Sequence, residues 1–390
     1  MSYLEINYMA IEQVLETLAK LVSFRSVTPY SSGSLEYIAK LLTNAGFSCD
    51  IQVFGEKEEE KTTNLYARYG NGSPNICFAG HIDVVPPLNE NLWDYNPFEL
   101  KVIGEKVYGR GTVDMKGAIA CGIVSALNYL KIYPSPSGSI SFLLTSDEEG
   151  CAKFGTKPML EYLAKKGEKI DFSILGEPTA RAHFGDTIAI GRRGSVNFVL
   201  KIIGKQGHVA YPHTAINPIT SAVKIATDLM NIDFDNGSEF FEKTNLEATS
   251  FDVGNNVVNI IPEQATLKFN VRFNDFHSAK SIFGIVLEVI SKHEVIFDLQ
   301  YESSAESFVQ KYSEKMKKFT AIVQNQSQIP PKIDTNGGTS DARFIHKYSE
   351  IVEFGLSFDQ AHKINEHTQI SDLQSLYNVY YNSLVEFLQK

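Results

Sequence analysis

Along its first half the chain switches repeatedly between two apolar periods, and this alternation limits the available folds more than any other feature. Ile11, Val14, Leu15, Leu18, Leu21 and Val22 recur at helical spacing, as do Leu35, Ile38, Leu41 and Leu42, with Gly46 placed to stop the second helix. The segment 75–78 reads as a short buried strand and 139–145 and 172–175 as strands, and 115–130 reads as a helix with Asp114 where an N-cap would stand. Strands separated by helices need crossover connections, so the expectation is an α/β domain with a mixed, mostly parallel sheet flanked by helices. From about residue 192 the order becomes strand (195–203), helix (215–230), two strands (246–253 and 265–273), helix (277–293) and strand (295–301). That order suits a two-layer α+β domain of ferredoxin-like type. A terminal helix is expected over 369–389. A chain of 390 residues exceeds what one core serves. We therefore expect a catalytic domain built from 1–191 and 303–390, with 192–302 inserted as a smaller domain.

Composition removes several classes of function. A formal charge of −10 argues against a nucleic-acid binder and against a polybasic membrane protein. The apolar stretch from Ala118 to Leu127 is interrupted by Gly122 and Ser125 and falls short of the roughly 18 residues a membrane span needs. The start, Met1-Ser-Tyr-Leu-Glu5, carries no basic segment and no signal-peptide apolar block. Cys49, Cys77, Cys121 and Cys151 form no Cys-x-x-Cys pair, so neither a thiolate zinc site nor a disulfide framework is expected, and a cytoplasmic protein with reduced cysteines is.

The acids and histidines fall at one kind of place. His81 and Asp83 follow the strand at 75–78, Glu148 and Glu149 follow 139–145, and Glu177 follows 172–175, while Asp114 opens the helix after Gly109-Arg-Gly-Thr-Val. In an open α/β sheet, sites form at the C-terminal ends of strands, so four segments deliver imidazole or carboxylate to one edge. Such donors bind zinc at about 2.0–2.2 Å. Residues 81 and 83 point the same way on an extended segment, so the Asp83 carboxylate could accept from the His81 ring. Adjacent Glu148 and Glu149 point apart, so one could bind metal while the other faces an attacking water. Taken singly, each has a plainer reading: a core or loop histidine, a helix cap at Asp114, solvated acids at 148–149. Gly337-Gly-Thr-Ser-Asp341 could hold an anion or be an ordinary turn, Arg192-Arg193 could fork onto a carboxylate or be solvated, and His208 could donate to an oxyanion or be a loop histidine. On spacing alone either His362 or His367 could be a ligand.

Eight segments together resemble the zinc-dependent aminoacylase and carboxypeptidase-G-type peptidase family. They are Gly80-His-Ile-Asp-Val-Val-Pro86, Gly109-Arg-Gly-Thr-Val-Asp-Met-Lys-Gly117, Thr145-Ser-Asp-Glu-Glu-Gly150 and Gly176-Glu-Pro178, followed by Gly191-Arg-Arg-Gly-Ser195, Gly207-His-Val-Ala-Tyr-Pro-His213, Gly337-Gly-Thr-Ser-Asp-Ala-Arg343 and His362-Lys-Ile-Asn-Glu366. The resemblance implies two zinc ions per subunit, with cobalt able to substitute. His81 and Glu177 would hold one, Glu149 and His362 the other, and Asp114 would bridge them. Glu148 would be the general base and Asp83 would orient His81. His362 rather than His367 fits the ligand position. His208 would reach the site of a partner subunit, which implies a homodimer formed through the inserted domain. Arg192, Tyr211, Asn259, Arg272, Gly338, Thr339 and Arg343 match segments that contact substrate. Within the family the Arg-Arg-Gly-Ser and Gly-Gly-Thr-Ser-Asp segments suit a substrate with an extra carboxylate. That implies hydrolysis of N-succinyl-LL-2,6-diaminopimelate, with deacetylation of acetylornithine or of a related acyl-amino acid as the alternative. One departure is Phe358, four residues before His362, where relatives often carry a small or polar side chain.

Overall fold

The computed structural model describes residues 3–335 and 337–389 and divides the chain into two compact units. The first contains the chain up to Ile190 together with Gln310–Asp334 and the segment from Ser340 onward; the second contains Gly191–Val309 and Thr335–Thr339. The inserted unit thus runs past residue 302, the boundary expected from sequence. The reason is local pairing: the strand Ile296–Ala305 is followed by Phe308–Val309, which turns back onto Gly191–Arg192.

The first unit is built on an eight-stranded sheet in the order Ser48–Phe54, Thr62–Tyr69, Ser139–Thr145, Asn75–His81, Phe172–Leu175, Glu350–Glu353, Thr187–Ala189, Lys332–Asp334. The centre is parallel: Asn75–His81 lies between Ser139–Thr145 and Phe172–Leu175, and the latter pairs in parallel with Glu350–Glu353. Antiparallel pairing is confined to Ser48–Phe54 with Thr62–Tyr69, Thr62–Tyr69 with Ser139–Thr145, and a single bridge from Glu353 to Ala189. The three central strands are buried at every position, as parallel strands covered on both faces must be. The helix Lys116–Ile132 packs against the terminal helix Ile370–Leu388 and the first helix, Tyr3–Ser23.

Registration places the chemistry. His81 is paired with Thr145, and Ala79 with Leu175, so the three strands end side by side. The residues just beyond those ends, 146–149 and 176–177, therefore emerge along one edge.

The second unit holds a four-stranded antiparallel sheet in the order Asn245–Asp252, Gln264–Phe273, Gly194–Ile203, Ile296–Ala305. Pro218–Met230 and Ala279–Ser291 bury Ala222, Ile225, Leu229, Ile282, Val286 and Ile290 against alternate residues of the sheet, among them Val196, Phe198, Leu200, Leu267 and Phe269. Strand order and helix placement are those of the ferredoxin-like arrangement. Asn217 caps the first of these helices and Ser278 the second, each accepting a backbone N–H.

Candidate metal centre

Two glycines determine how close the Lys116 helix comes to the strand ends. A Cβ on Gly80 would lie 2.3 Å from Met115 Cε, and one on Gly176 would lie 2.6 Å from Ala118 Cβ. The side-chain-free surface at both positions lets the start of the helix settle between the strand ends carrying His81 and Glu177. Asp114 is not the cap of that helix, contrary to the sequence expectation. The helix begins at Lys116 with Met115 at the cap position, and Asp114 stands one residue before it with its carboxylate turned into the site.

The two oxygens of Asp114 face two histidines. Oδ1 lies 3.1 Å from His81 Nε2, and Oδ2 lies 3.3 Å from His362 Nε2. Glu177 Oε1 is 3.7 Å from His81 Nε2, and Glu149 Oε1 is 2.8 Å from His362 Nε2. Two groups of donors result, His81–Asp114–Glu177 and Asp114–Glu149–His362, with the ligand atoms of each within 4.8 Å of one another. Tetrahedral coordination at about 2.0–2.1 Å separates neighbouring ligand atoms by about 3.3 Å, so the spacing fits a small dication in each group. The chemistry of the donors, imidazole and carboxylate without thiolate, fits zinc or a similar borderline ion.

Electrostatics point the same way. Burial opposes charge on His81, but its hydrogen bond to Asp114 and the charges of Glu177, Asp114 and Asp83 outweigh that and hold it well above the usual imidazole value. Hydrogen bonds to Asp114 and Glu149 raise His362 to about 10. Burial and then the negative charge of Glu177 push the Glu148 carboxyl well up. Burial also lifts Asp83 to about 6. The cluster is short of positive charge, which dications supply more fully than protons do.

Asp83 departs from its expected contact. His81 Nδ1 meets the backbone carbonyl of Asp83 at 2.9 Å, while the Asp83 carboxylate is 3.7 Å away. That carboxylate instead accepts from the amides of Glu148 (3.2 Å) and Glu149 (3.1 Å). It thereby holds the turn that carries the two glutamates. Asp147 closes the same loop by accepting from Ala152 and Phe154. His367 takes no part in either donor group: its Nδ1 meets the Asn365 carbonyl, and its ring packs on Tyr108.

The other predicted residues divide between the units. Arg343 lies in the first unit, on the short helix Ala342–Ile345, its guanidinium over the Phe344 ring. Arg192, His208, Tyr211, Asn259, Arg272, Gly338 and Thr339 belong to the second. There His208 and Tyr211 face each other at 5.7 Å between rings, and the Asn259 carbonyl accepts from the Val209 amide. Arg192 is buried and lies against Gly337, where a Cβ would come within 1.8 Å of its Nη1. Arg193 instead donates to Asn245 Oδ1 at 3.0 Å. Burial and then the neighbouring charge of Arg193 lower the pKa of Arg272. The Phe358 side chain is half exposed, and its amide donates to the Ala180 carbonyl. Sequence reasoning missed Glu366, a buried acid that gathers the 110–114 segment, because its only sequence signal was its place four residues after His362.

Comparison with known proteins agrees with this geometry. The chain is 54% identical over 376 residues to the succinyl-diaminopimelate desuccinylase of Rickettsia bellii (strain RML369-C), covering 95% of this chain and 96% of that one. It is 53% identical to the enzyme of that name from Rickettsia felis, covering 95% and 99%. Among solved structures, an M20 family metallo-carboxypeptidase from Sulfolobus solfataricus superposes with a TM-score of 0.77 at 17% identity, covering 95% of this chain and 98% of that one. A dinuclear metal-binding peptidase of the M20 family from Bacillus subtilis gives 0.69 at 15% identity, covering 97% and 99%. Residues 77–386 match the pattern of peptidase family M20/M25/M40, and with two donor groups sharing Asp114 at the strand ends, the chain belongs to that family.

Proposed function

We propose that this metal-dependent amidohydrolase cleaves N-succinyl-LL-2,6-diaminopimelate to succinate and LL-2,6-diaminopimelate, a step toward lysine and meso-diaminopimelate. The observation that carries the reading is Asp114, with one oxygen toward each histidine, in a chain 54% identical to relatives bearing the desuccinylase name.

Two zinc ions, or cobalt in their place, held by His81, Asp114 and Glu177 and by Asp114, Glu149 and His362, would polarise the succinyl carbonyl and acidify water. Glu148 takes the proton of the attacking water and later hands it to the leaving amine. Its pKa is raised by burial and neighbouring acids, which suits a carboxylate that must both accept and return a proton. Asp83 holds the turn that carries Glu148 and Glu149 through their amides. His208, contributed by a partner copy in a homodimer formed through the second unit, donates to the oxyanion. Arg192, Arg272 and Arg343 recognise substrate carboxylates, with Tyr211, Asn259, Gly338 and Thr339 completing the contacts. No helix among the described residues is long and apolar enough to cross a membrane. The cytoplasm is the location we propose on the separate ground of the biosynthetic step assigned to the enzyme.

The deciding experiment compares N-succinyl-LL-2,6-diaminopimelate with N-acetylornithine, each with zinc and with a chelator. Zinc-dependent cleavage of the succinyl substrate alone is expected. Cleavage of acetylornithine instead would overturn the substrate assignment and leave the metal chemistry standing.

A further inference from the structure

Glu366 is completely buried, and both its oxygens are used by one short stretch of chain. Oε2 accepts from Arg110 Nη1 at 2.7 Å and from the Gly111 amide at 3.0 Å. Oε1 accepts from the Val113 amide at 2.8 Å and the Asp114 amide at 3.2 Å. The Glu366 carbonyl also accepts from the Gly109 amide, and Arg110 Nη1 reaches the Lys363 carbonyl at 3.3 Å. The 109–114 segment is therefore wrapped around one carboxylate, with Gly111 at φ +85° where a Cβ would meet Val84 at 2.8 Å.

The other end of this arrangement is the turn 362–366. His362 and Asn365 both have positive φ, 62° and 60°, a conformation that a non-glycine residue keeps only when its surroundings over-determine it. Asn365 is tied twice to Asp94, accepting from its amide and donating to its carboxylate, each at 2.8 Å. Glu366 ties the same turn to the 109–114 segment, and Arg110 reaches its Lys363 carbonyl. The two donor groups are thus supported differently. His81 and Glu177 stand at the ends of central, fully buried strands. His362 stands on a strained turn whose distance from Asp114 is spanned by the Glu366 carboxylate.

We propose that Glu366 is a positioning residue for the second metal position. By joining the Asp114 and His362 segments it sets the 3.3 Å separation of Asp114 Oδ2 and His362 Nε2, and so selectively sustains ion binding at Asp114, Glu149 and His362. The inference rests on the two-ion reading above. A buried Arg–Glu pair with a purely structural role would, when altered, lower stability without favouring one ion over the other.

The test is a stepwise zinc or cobalt titration of metal-depleted protein, by calorimetry and by cobalt absorption, on the wild type, Glu366→Asp and Arg110→Lys. Partners that orient metal ligands typically contribute 10–100-fold to affinity, so Glu366→Asp is expected to weaken one binding step by about that factor while the other changes by less than about threefold. Excess zinc should restore kcat. Arg110→Lys retains Glu366 and its amide donors and should shift the same step in the same direction by less. It decides the matter alone if Glu366→Asp does not fold. Equal weakening of both steps, or no change in a folded variant, overturns the inference. A wild-type protein that takes up fewer than two ions overturns the two-ion reading itself, a failure visible before any substitution is made.

Discussion

Asp235 in the second unit and Asp114 in the first each face a histidine ring nitrogen at 3.1 Å, yet their surroundings are opposite. Asp235 accepts from the Gly237 amide at 2.7 Å, from Asn274 Nδ2 at 2.6 Å and from the Thr244 amide, besides His277. Burial disfavours its charge, but the donors from Thr244, Gly237 and Asn274 outweigh that, and its pKa falls. Burial disfavours the charge of Asp114 too, and its pKa also falls, but there it is the rings of His362 and His81 that outweigh burial, and the surrounding groups are further acids, among which burial and then Glu177 push Glu148 up. A carboxylate surrounded by N–H donors ties a loop together. Carboxylates whose main partners are shared histidine rings, as at Asp114 and Glu149, leave room for a cation.

The sharpest way to break this contrast is to remove Glu148. Glu148→Ala should lower kcat by roughly 10²–10⁴-fold, the usual share of a general acid–base group, with the metal content unchanged. Retained turnover would end its assigned role. His208→Ala should cost about 10²–10³-fold in kcat if it donates to the oxyanion, again with both ions retained. Wild-type kinetics in that variant would remove the cross-subunit contact.

The opposite side of the comparison is tested by stability. Asp235→Asn should lower unfolding free energy by about 1–3 kcal/mol, measured by denaturant titration, because buried donors lose a charged acceptor. The sign with pH follows from the lowered pKa. The contribution of Asp235 is complete above the unfolded value of about 4 and fades as pH falls through the lower folded value. The stability gap between wild type and variant should therefore be widest near neutrality and close in acid; a gap independent of pH would show that the charge of Asp235 is not what holds the loop. The smallest effect is expected at Phe358. Its half-exposed ring and backbone-only hydrogen bond predict that Phe358→Ser changes stability by no more than about 0.5 kcal/mol in thermal unfolding.

Much of this organisation was legible in the linear sequence. The segments 75–78, 139–145 and 172–175 mark strands, and the helical spacing at 115–130 between the first two implies a crossover. The order of elements after residue 192 suits a two-layer α+β unit. The acids and histidines just beyond strand ends could be gathered without coordinates, because parallel neighbours necessarily end at the same edge. Other features were not legible. Asp114 looked like a helix cap, since the sequence does not disclose that Gly80 and Gly176 admit the helix start so closely. The carboxylate of Asp83 looked like a partner for the His81 ring, because spacing shows that two side chains share a side and not which backbone amides lie opposite. Glu366 carried no pattern of its own, since its four donors lie more than 250 residues away in sequence. Local periodicity and residue chemistry thus determined which elements form and which side chains could react. Only the tertiary structure decided which oxygen faces which ring, because those separations depend on close packing between distant segments, and period and composition carry no record of it.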